Sequence, residues 1–337
     1  MPAEWAPHRG TWLSWPHRES TWPGMLERIP PIFADIVAHL VPAEEVHINL
    51  KPGLEDGVRA LLASRGVPPD SVFFHHHPTD DAWCRDHGPI FIQRTSGGRV
   101  EEAIVDWGYN SWGGKYPPCD RDDAIPGRIA RELGLPLFHP GMILEGGSID
   151  VNGVGDLLTT ESCLLNPNRN PDLSRADIER RLGEFLGVDR VLWLGQGIVG
   201  DDTDGHVDDL ARFVAPDTIV TVVEDDPDDD NYRPLQDNLH RLRGLTRRSG
   251  EPYRIVELPM PRPRYHGGER LPASYANFYV ANEVVLLPGY DADRDAIARD
   301  ILGGLFPRRR VVVIDSLDLV WGLGSFHCVT QQWPATG

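Results

Sequence analysis

Short strand-like runs and amphipathic helical stretches alternate along all 337 residues, and this alternation restricts the fold more than any other feature of the sequence. Turn-forming residues keep each element short, since the chain has 34 glycines and 30 prolines. Strands that alternate with helices predict an α/β fold. The predicted strands are Val46–Leu50, Ser71–Phe74, Pro89–Ile92, Ala103–Val105, Leu157–Thr160, Val191–Leu194, Ile219–Val223, Tyr253–Glu257, Val284–Leu287 and Val311–Ile314. The predicted helices are Leu26–Leu40, Leu54–Ser64, Asp123–Leu133, Ser174–Leu186, Arg233–Arg248 and Asp293–Leu305.

The order strand–strand–helix–strand recurs with a period of roughly 60 residues, which is a weak sign of an internally repeated fold. A doubly wound sheet would show the same alternation, but the chain lacks the Gly-x-Gly-x-x-Gly turn of dinucleotide-binding proteins and the P-loop. No linker rich in Gly, Ser or Pro divides the chain. We therefore expect residues 1–337 to form one domain, and the hydrophobic content of 40% is enough for a sizeable core.

The chain is strongly acidic, with 33 basic and 51 acidic residues and a net charge of −18. Such a field repels nucleic acids and anionic membranes and attracts a small cationic ligand, although it would also serve solubility alone. We expect no nucleic-acid or membrane partner, and a homo-oligomer is compatible with the sequence. The acidic run 225–230 does not have the spacing of an EF-hand loop, and we interpret it as a solvated loop.

The first residues of the chain carry neither a basic segment nor an apolar segment of the kind found in secretory signals. No run approaches the ~18 apolar residues that a membrane span requires. We therefore expect a cytoplasmic protein. No Cys-x-x-Cys pair is present, which argues against a zinc ribbon and a disulfide scaffold. The four cysteines are Cys84, Cys119, Cys163 and Cys328.

Cys328 has the most suggestive surroundings of the four thiols, because it follows a glycine-interrupted loop, 321–327, and precedes a polar, strand-like tail. Glycines such as Gly324 let a backbone approach a ligand closely. A thiolate is a strong nucleophile when a base or a cation activates it. A buried, inert cysteine at the start of a strand is the competing interpretation of this segment alone.

The acidic segment 200–209 contains a histidine and a carboxylate two residues apart. If the segment is a strand, His206 and Asp208 point to the same face. His-x-Asp is also a common metal-ligand pair, and the run His75–His77 would have to supply a further ligand for zinc. Successive strand residues point to opposite faces, so three histidines in a row are a poor chelating set. We expect no metal.

Two further segments place carboxylates near a predicted turn or strand start. Trp83 and Asp86 precede the strand predicted at Pro89, and an ion pair with Arg85 is the simpler explanation of Asp86. Glu145 precedes two glycines, where a backbone can approach a ligand, and a simple turn is the simpler explanation there.

Taken together, these residues are suited to the chemistry of a guanidinium group. A guanidinium is planar, cationic and presents five N–H donors, so that Asp86 and Asp208 could hold two of its edges and Trp83 could stack on it. A thiolate would divide hydrolysis of this poor electrophile into two easier steps. A histidine could protonate the departing ammonia and then deprotonate water. No cofactor is needed for this reaction.

The sequence resembles the agmatine deiminases of the Porphyromonas-type peptidyl-arginine deiminase family. The motif Trp-Cys-Arg-Asp-His-Gly-Pro at 83–89 and the motif His-Cys-Val-Thr-Gln-Gln at 327–332 carry much of the resemblance. The loop before Cys328 departs from the usual family pattern, because Leu323 stands where glycine is common. The other matching segments are 1–5, 10–16, 112–118, 145–149, 157–161, 165–170, 201–208 and 274–279.

The resemblance implies a five-bladed α/β propeller, or pentein, of pseudo-symmetric ββαβ units. It implies a hydrolase acting on C–N bonds in linear amidines, which converts agmatine to N-carbamoylputrescine and ammonia in putrescine biosynthesis. Alternatives are a deiminase for another guanidino compound or for a C-terminal peptidyl arginine, and an inactive homologue that binds cationic ligands. A substrate that carries a carboxylate would require a basic residue at the pocket mouth.

The resemblance also implies roles for individual residues. Cys328 would attack the guanidinium carbon and His206 would act as general acid and base. The side chains that would hold the guanidinium nitrogens are Glu145, Asp86 and Asp208. Trp83 would line the substrate channel. The ammonium end of agmatine requires an acidic partner, for which Asp202 is the first candidate and Asp204 the second.

Overall fold

The computed structural model describes residues 1–336. All ten predicted strands are present, with ends shifted by up to four residues. The strands are β1 His8–Ser14, β2 Glu45–Asn49, β3 Val72–His75, β4 Ile90–Ser96, β5 Arg99–Val105, β6 Leu137–Phe138, β7 Asp150–Val151, β8 Asp156–Thr160, β9 Arg190–Leu194, β10 Ala211–Ala215, β11 Thr218–Val223, β12 Arg254–Pro259, β13 Tyr265–His266, β14 Glu269–Arg270, β15 Tyr279–Val280, β16 Val284–Gly289, β17 Arg310–Asp315 and β18 Thr330–Pro334.

The six predicted helices are also present, and a 3₁₀ turn at Leu26–Arg28 precedes the first. The α4 helix begins at a reciprocal cap, in which the side chain of Ser174 accepts from the backbone of Asp177 and Asp177 accepts from the backbone of Ser174. No helix within residues 1–336 is long and apolar enough to cross a membrane. The helices are α1 Ile29–Leu40, α2 Glu55–Ser64, α3 Ile125–Leu133, α4 Arg175–Leu186, α5 Tyr232–Gly244 and α6 Ala292–Leu305.

Apart from the β13–β14 hairpin, the strands of residues 1–336 form five sheets on one plan. In each sheet an antiparallel pair is extended by a third strand that runs parallel to the second and is reached through a helix, as parallel pairing requires. The sheets are β18-β1-β2-β3, β4-β5-β6, β7-β8-β9, β10-β11-β12 and β15-β16-β17. The repeated strand–strand–helix–strand order expected from the sequence is therefore observed, and the chain is an α/β protein.

Among the strands that were not predicted, β1 and β10 were missed because polar residues interrupt their apolar pattern. Gly10 lies in β1 where the neighbouring β2 approaches so closely that a Cβ atom would be 2.6 Å from the carbonyl oxygen of Glu45. Arg212 is a charged residue in β10, and it is buried because its guanidinium pairs with Asp150 and with Glu4. Pairing within the fold, and not local propensity, determines both strands.

Candidate active site

The residues predicted to be functional come from one equivalent place in the repeated units, the turn that leads into the first strand of a sheet. Asp86 precedes β4, Glu145 precedes β7, His206 precedes β10 and Cys328 precedes β18. The remaining sheet contributes Asn277, which precedes β15. Asn277 was not predicted as a site residue, although the repeat offers a signal for it, because the fifth unit should contribute a residue from the same position.

Cys328 lies in a single helical turn, Phe326–Val329, and not at the strand start considered above. Its side chain is 6% exposed, and its Sγ atom accepts a hydrogen bond of 3.1 Å from Asn277 Nδ2. The Oδ2 atom of Asp208 is 3.8 Å from the same sulfur. Burial raises the pKa of the Cys328 thiol well above its usual value, and the nearby carboxylates, Asp208 first among them, raise it further. Cys328 is therefore a neutral thiol when no cation is bound beside it.

His206 is fully buried between two carboxylates. Its Nδ1 atom is 3.7 Å from Asp86 Oδ1 and its Nε2 atom is 3.7 Å from Glu145 Oε2. Burial opposes the charged form, but the carboxylate of Asp86, together with Cys163 and Glu145, outweighs it, and the pKa of His206 lies well above its usual value. His206 is therefore an imidazolium at neutral pH, which suits an acid that protonates a leaving nitrogen.

Four polar atoms of this centre are buried and have no hydrogen-bond partner: both ring nitrogens of His206, Oε2 of Glu145 and Oδ1 of Asp208. Buried polar atoms without partners are rare and costly in folded proteins. The two carboxylate oxygens are acceptors, and a cation that offers N–H donors would satisfy them.

Asp86 has its carboxylate held in place from two sides. Oδ2 accepts a bond of 3.0 Å from the indole nitrogen of Trp112, and Oδ1 accepts one of 3.0 Å from the backbone of Gly147. Burial raises the pKa of Asp86 to about 6, with His206 opposing the shift and the carboxylate of Asp208 adding to it. Asp86 is therefore a carboxylate above about pH 6 and becomes neutral below it.

Gly147 occupies the space where three catalytic candidates meet. A Cβ atom at this position would lie 2.6 Å from Nδ1 of His206 and 2.9 Å from carboxylate oxygens of Asp208 and Asp86. Only glycine leaves room for this arrangement, because real Cβ contacts do not occur below 3.0 Å. The glycine beside Glu145 thus serves close packing of the centre itself.

His206 and Asp208 were expected to share the face of a strand, and this is wrong. His206 has extended backbone and caps the 3₁₀ turn Val207–Asp209, which precedes β10. A 3₁₀ turn rises less per residue than a strand does, and it still brings the side chains of His206 and Asp208 into the centre. The run His75–His77 does not join them, since His75 and His77 cluster with Glu132.

A buried histidine, His327, joins Asp208 to the first residues of the chain. Its Nδ1 atom is 2.6 Å from Asp208 Oδ2, and its Nε2 atom is 2.8 Å from Glu4 Oε2. Burial opposes ionisation of both carboxyls. The charges of Arg212 and His327 nevertheless bring the pKa of Glu4 well below its usual value, and the hydrogen bond from His327 brings the pKa of Asp208 below its usual value. His327 and Glu4 were missed as site residues because no local pattern links positions so distant in sequence.

Glu145 is oriented by Arg169, a second residue that sequence reasoning did not single out. Arg169 Nε donates a bond of 2.7 Å to Glu145 Oε1, which leaves Oε2 directed towards His206. The same guanidinium donates a bond of 2.6 Å to Asp204 Oδ2, and Lys115 Nζ lies 2.9 Å from Asp204 Oδ1. Burial opposes ionisation of Glu145, but the neighbouring His206 and the charge of Arg169 bring its pKa below the usual value.

A cavity of about 540 Å³ opens in front of the sulfur of Cys328. Of the predicted substrate-binding residues, Trp83, Asp202 and Gly324 line it, and Asp204 does not. Asp86 also lies on the wall, whereas the fully buried Glu145, His206 and Asp208 lie outside the lining. The wall also includes Arg18, Lys115, Tyr116 and Glu269.

Gly324 lets the indole of Trp83 approach Cys328 closely. A Cβ atom at this position would lie 2.5 Å from the Trp83 ring and 3.1 Å from the Cβ atom of Cys328. The preceding Leu323 has a left-handed backbone, with φ of 71°, in which a leucine is strained. The loop therefore keeps a conformation typical of glycine although leucine occupies the position.

The acidic run 225–230 is mostly exposed, as expected, with one exception. Asp229 forms an ion pair with Arg270, in which Asp229 Oδ1 is 2.7 Å from Arg270 Nη1. Arg270 belongs to the β13–β14 hairpin, which contributes His266 and Glu269 to the cavity wall. One residue of the run therefore anchors a wall of the cavity.

Comparison with known proteins gives one consistent family. Residues 1–334 match the family model described as Porphyromonas-type peptidyl-arginine deiminase. An agmatine deiminase of Ectopseudomonas mendocina is 37% identical over 358 aligned residues, which cover 99% of this chain and 95% of that protein.

Solved structures agree with the sequence comparison. The agmatine deiminase of Enterococcus faecalis superposes with a TM-score of 0.91 at 30% identity, covering 100% of this chain and 96% of that one. A cysteine-to-serine variant of the C. jejuni agmatine deiminase, with substrate bound, superposes with a TM-score of 0.88 at 32% identity and covers 100% of this chain and 96% of that one. The similarity therefore includes every turn that contributes to the centre.

Proposed function

Because the chain belongs to the Porphyromonas-type peptidyl-arginine deiminase family, we propose that it hydrolyses agmatine to N-carbamoylputrescine and ammonia. The observation that carries this proposal is the pairing of a buried thiol with carboxylate oxygens that have no partner. Cys328 lies at the end of the cavity, and Glu145 Oε2 and Asp208 Oδ1 lack hydrogen bonds. A guanidinium supplies both the N–H donors and the positive charge that these groups require.

Binding of the cation prepares the nucleophile. The guanidinium pairs with Asp86, Glu145 and Asp208, so that their negative charge no longer opposes ionisation of Cys328. The sulfur then bonds to the guanidinium carbon. The bond from this carbon to one terminal nitrogen breaks, and that nitrogen leaves as ammonia with the proton of the His206 imidazolium, which leaves His206 neutral. The proton that the thiol gave up converts the ammonia to ammonium.

The second half of the reaction releases the product. Water, deprotonated by His206, attacks the carbon of the thiouronium intermediate, and the carbon–sulfur bond breaks. The oxygen stays in N-carbamoylputrescine, one proton of the water returns to the sulfur, and the other restores the imidazolium of His206. All steps use side chains of this chain, and the reaction is that of a hydrolase acting on C–N bonds in linear amidines.

The far end of the cavity accounts for an ammonium on the substrate. Asp202 lies on the wall and remains the first candidate partner, although Lys115 Nζ is 3.4 Å from its carboxylate and Tyr116 also donates to it. Asp204 is the weaker candidate because its oxygens are already bound by Arg169 and Lys115.

A guanidino substrate with a carboxylate is the second candidate, and Arg18 favours it. Arg18 lies on the cavity wall, as the sequence argument required of a basic residue for such a substrate. Its guanidinium, however, donates 3.4 Å and 3.1 Å bonds to the carbonyls of Tyr116 and Pro117 and lies 3.8 Å from Asp81. These contacts leave it less free for a carboxylate, so we rank agmatine first.

Ammonia release from agmatine, arginine, guanidinobutyrate and an arginine-ended peptide tests the proposal. We expect kcat/KM to be highest for agmatine, to vanish in Cys328→Ser and to be unchanged by a chelator. Highest kcat/KM for arginine or the peptide would transfer the assignment to the second candidate. Full turnover by Cys328→Ser would reject the mechanism, and loss of activity with a chelator would indicate a metal-dependent reaction.

The proposal includes the finer fold, a five-bladed propeller in which the five sheets close into a ring around the centre. Each sheet sends one turn to the centre, and successive sheets touch: β18 packs on β4, β7 on β10, α6 on β12 and α1 on β16. The second and third sheets share an apolar cluster that includes Val105 and Leu157. A crystal structure would test the ring, and a gap between any two successive sheets would refute it.

A further inference from the structure

A cluster of two histidines and a glutamate lies outside the catalytic set, at the end of β3. His75 is the last residue of this strand, and the backbone of His77 turns back to donate to the carbonyl of His75 over 2.8 Å. Glu132 comes from the last turn of α3, in the second repeated unit. The ligand atoms of the three residues all lie within 4.8 Å of one another.

We propose that His75, His77 and Glu132 bind a divalent cation of the zinc class, which fastens β3 to α3. The two carboxylate oxygens of Glu132 are each 2.8 Å from a ring nitrogen, Nδ1 of His75 and Nε2 of His77. Two imidazoles and one carboxylate are a common zinc ligand set, with the fourth position open to water. Ligand atoms of a tetrahedral zinc site are separated by about 3.3 Å, so these side chains would open by about half an ångström.

His77 supports this assignment through an atom that has no hydrogen bond. Nε2 of His77 is buried and close to Glu132 Oε2, yet the geometry of the contact is not that of a hydrogen bond. A nitrogen lone pair aimed at a metal between the two atoms explains this arrangement. The middle histidine of the run, His76, does not join the cluster, and its Nε2 atom lies 3.3 Å from Oε2 of Glu55.

The hydrogen bonds behind His75 give an independent argument. Nε2 of His75 is 3.0 Å from Nδ1 of His47, and Nε2 of His47 is 3.2 Å from Glu45 Oε2. With the contact between His75 and Glu132, these residues form a series of three hydrogen bonds, and each of the three needs one N–H proton. Two neutral imidazoles provide only two protons.

A metal on Nδ1 of His75 resolves this shortage. His75 then donates from Nε2 to His47, and His47 donates from its own Nε2 to Glu45, so that every remaining link has its proton. Such a series, in which a ligating imidazole donates to further groups, is the usual support behind metal-binding histidines.

Equilibrium dialysis of the chelator-treated full chain against ZnCl₂ tests the proposal. We expect one zinc per chain, with the affinity reduced at least tenfold in His77→Ala and in Glu132→Gln and unchanged in the matched control His76→Ala. X-ray absorption at the zinc edge should show nitrogen and oxygen ligands without sulfur. Zinc should also raise the melting temperature of the native chain and of His76→Ala, but not of Glu132→Gln, whose half-exposed side chain leaves folding intact.

Three results would overturn the proposal: no stoichiometric zinc, affinity unchanged in both ligand variants, or sulfur in the coordination shell. Sulfur would indicate that zinc binds at Glu145, Cys163 and His206, whose ligand atoms also lie within 4.8 Å of one another. None of the variants changes a catalytic residue, so agmatine turnover should persist in all of them. The proposed function and the metal site can therefore fail independently.

Discussion

Replacement of Asp208 by asparagine removes one negative charge from the centre and changes almost no volume. Oδ2 of Asp208 accepts from His327 at 2.6 Å, and Oδ1 is buried without a partner. In Asp208→Asn the amide oxygen can keep the bond to His327, and the NH₂ group then faces the guanidinium, so that a donor meets a donor. Breaking a buried ion pair by removing one partner costs about 3–5 kcal/mol.

At 1.36 kcal/mol for each factor of ten, this cost predicts a loss of roughly 10² to 10⁴ in kcat/KM. Initial rates of ammonia release at subsaturating agmatine measure the loss, and a thermal melt confirms that the variant is folded. Asp209→Asn is the matched control in the adjacent position. Burial, with Asp208 beside it, raises the pKa of Asp209 well above its usual value, so the amide replaces a neutral acid and the loss should stay below about tenfold.

A folded Asp208→Asn variant within tenfold of the native kcat/KM would refute the role of this carboxylate in holding the substrate. An equal loss of kcat/KM in Asp209→Asn would show that any change in this turn disturbs the centre. The loss in Asp208→Asn could then not be attributed to its missing negative charge.

Three further predictions address other parts of the centre. Gly147→Ala should lower kcat by at least ~100-fold, because its methyl group would lie 2.6 Å from His206 Nδ1, and normal kinetics would show that the centre has more room than its geometry indicates. The pKa of Asp86 is raised to about 6, so the carboxylate proposed to hold the guanidinium becomes neutral as the pH falls through 6. The value of kcat/KM should therefore decrease about tenfold per pH unit below pH 6. A kcat/KM that stays constant down to pH 5 would contradict this prediction. Glu4→Gln removes one of two carboxylates from His327 and should lower kcat about tenfold or more with little change in KM, whereas a change in KM alone would place Glu4 outside the catalytic support.

The sequence allowed the helices and most strands to be predicted because their apolar periodicity is strong. It failed at several short strands and at the longer β1 and β10, where Gly10 and Arg212 violate local propensity and are stabilised only by neighbours that are distant in sequence. Tertiary pairing outweighs propensity at such places.

The chemistry of the site was predictable to the extent that it depends on residue types. A thiol, a histidine and three carboxylates indicate a guanidinium without knowledge of the fold, and the structure places Cys328 beside Asp208 and His206 between Glu145 and Asp86. The supporting residues were not predictable in this way. Arg169 and Glu4 act through contacts that only the folded chain creates, and Asn277 is recognisable only when the five units are compared.

The sheet that contains Cys328 joins strands that are distant in sequence, since β18 pairs with β1 and the backbone of Ala335 donates to the carbonyl of Pro7 over 2.8 Å. During synthesis on a ribosome, β18 is made long after the β1 strand beside which it inserts. A short peptide could join the segment at Pro7 to the segment at Ala335, and the exposed hairpin turn at Gly97 and Gly98 offers a place to open the chain instead. In such a circular permutant, β18 and β1 would be translated one shortly after the other, and the turn at Cys328 would pack on its partner strand without that delay.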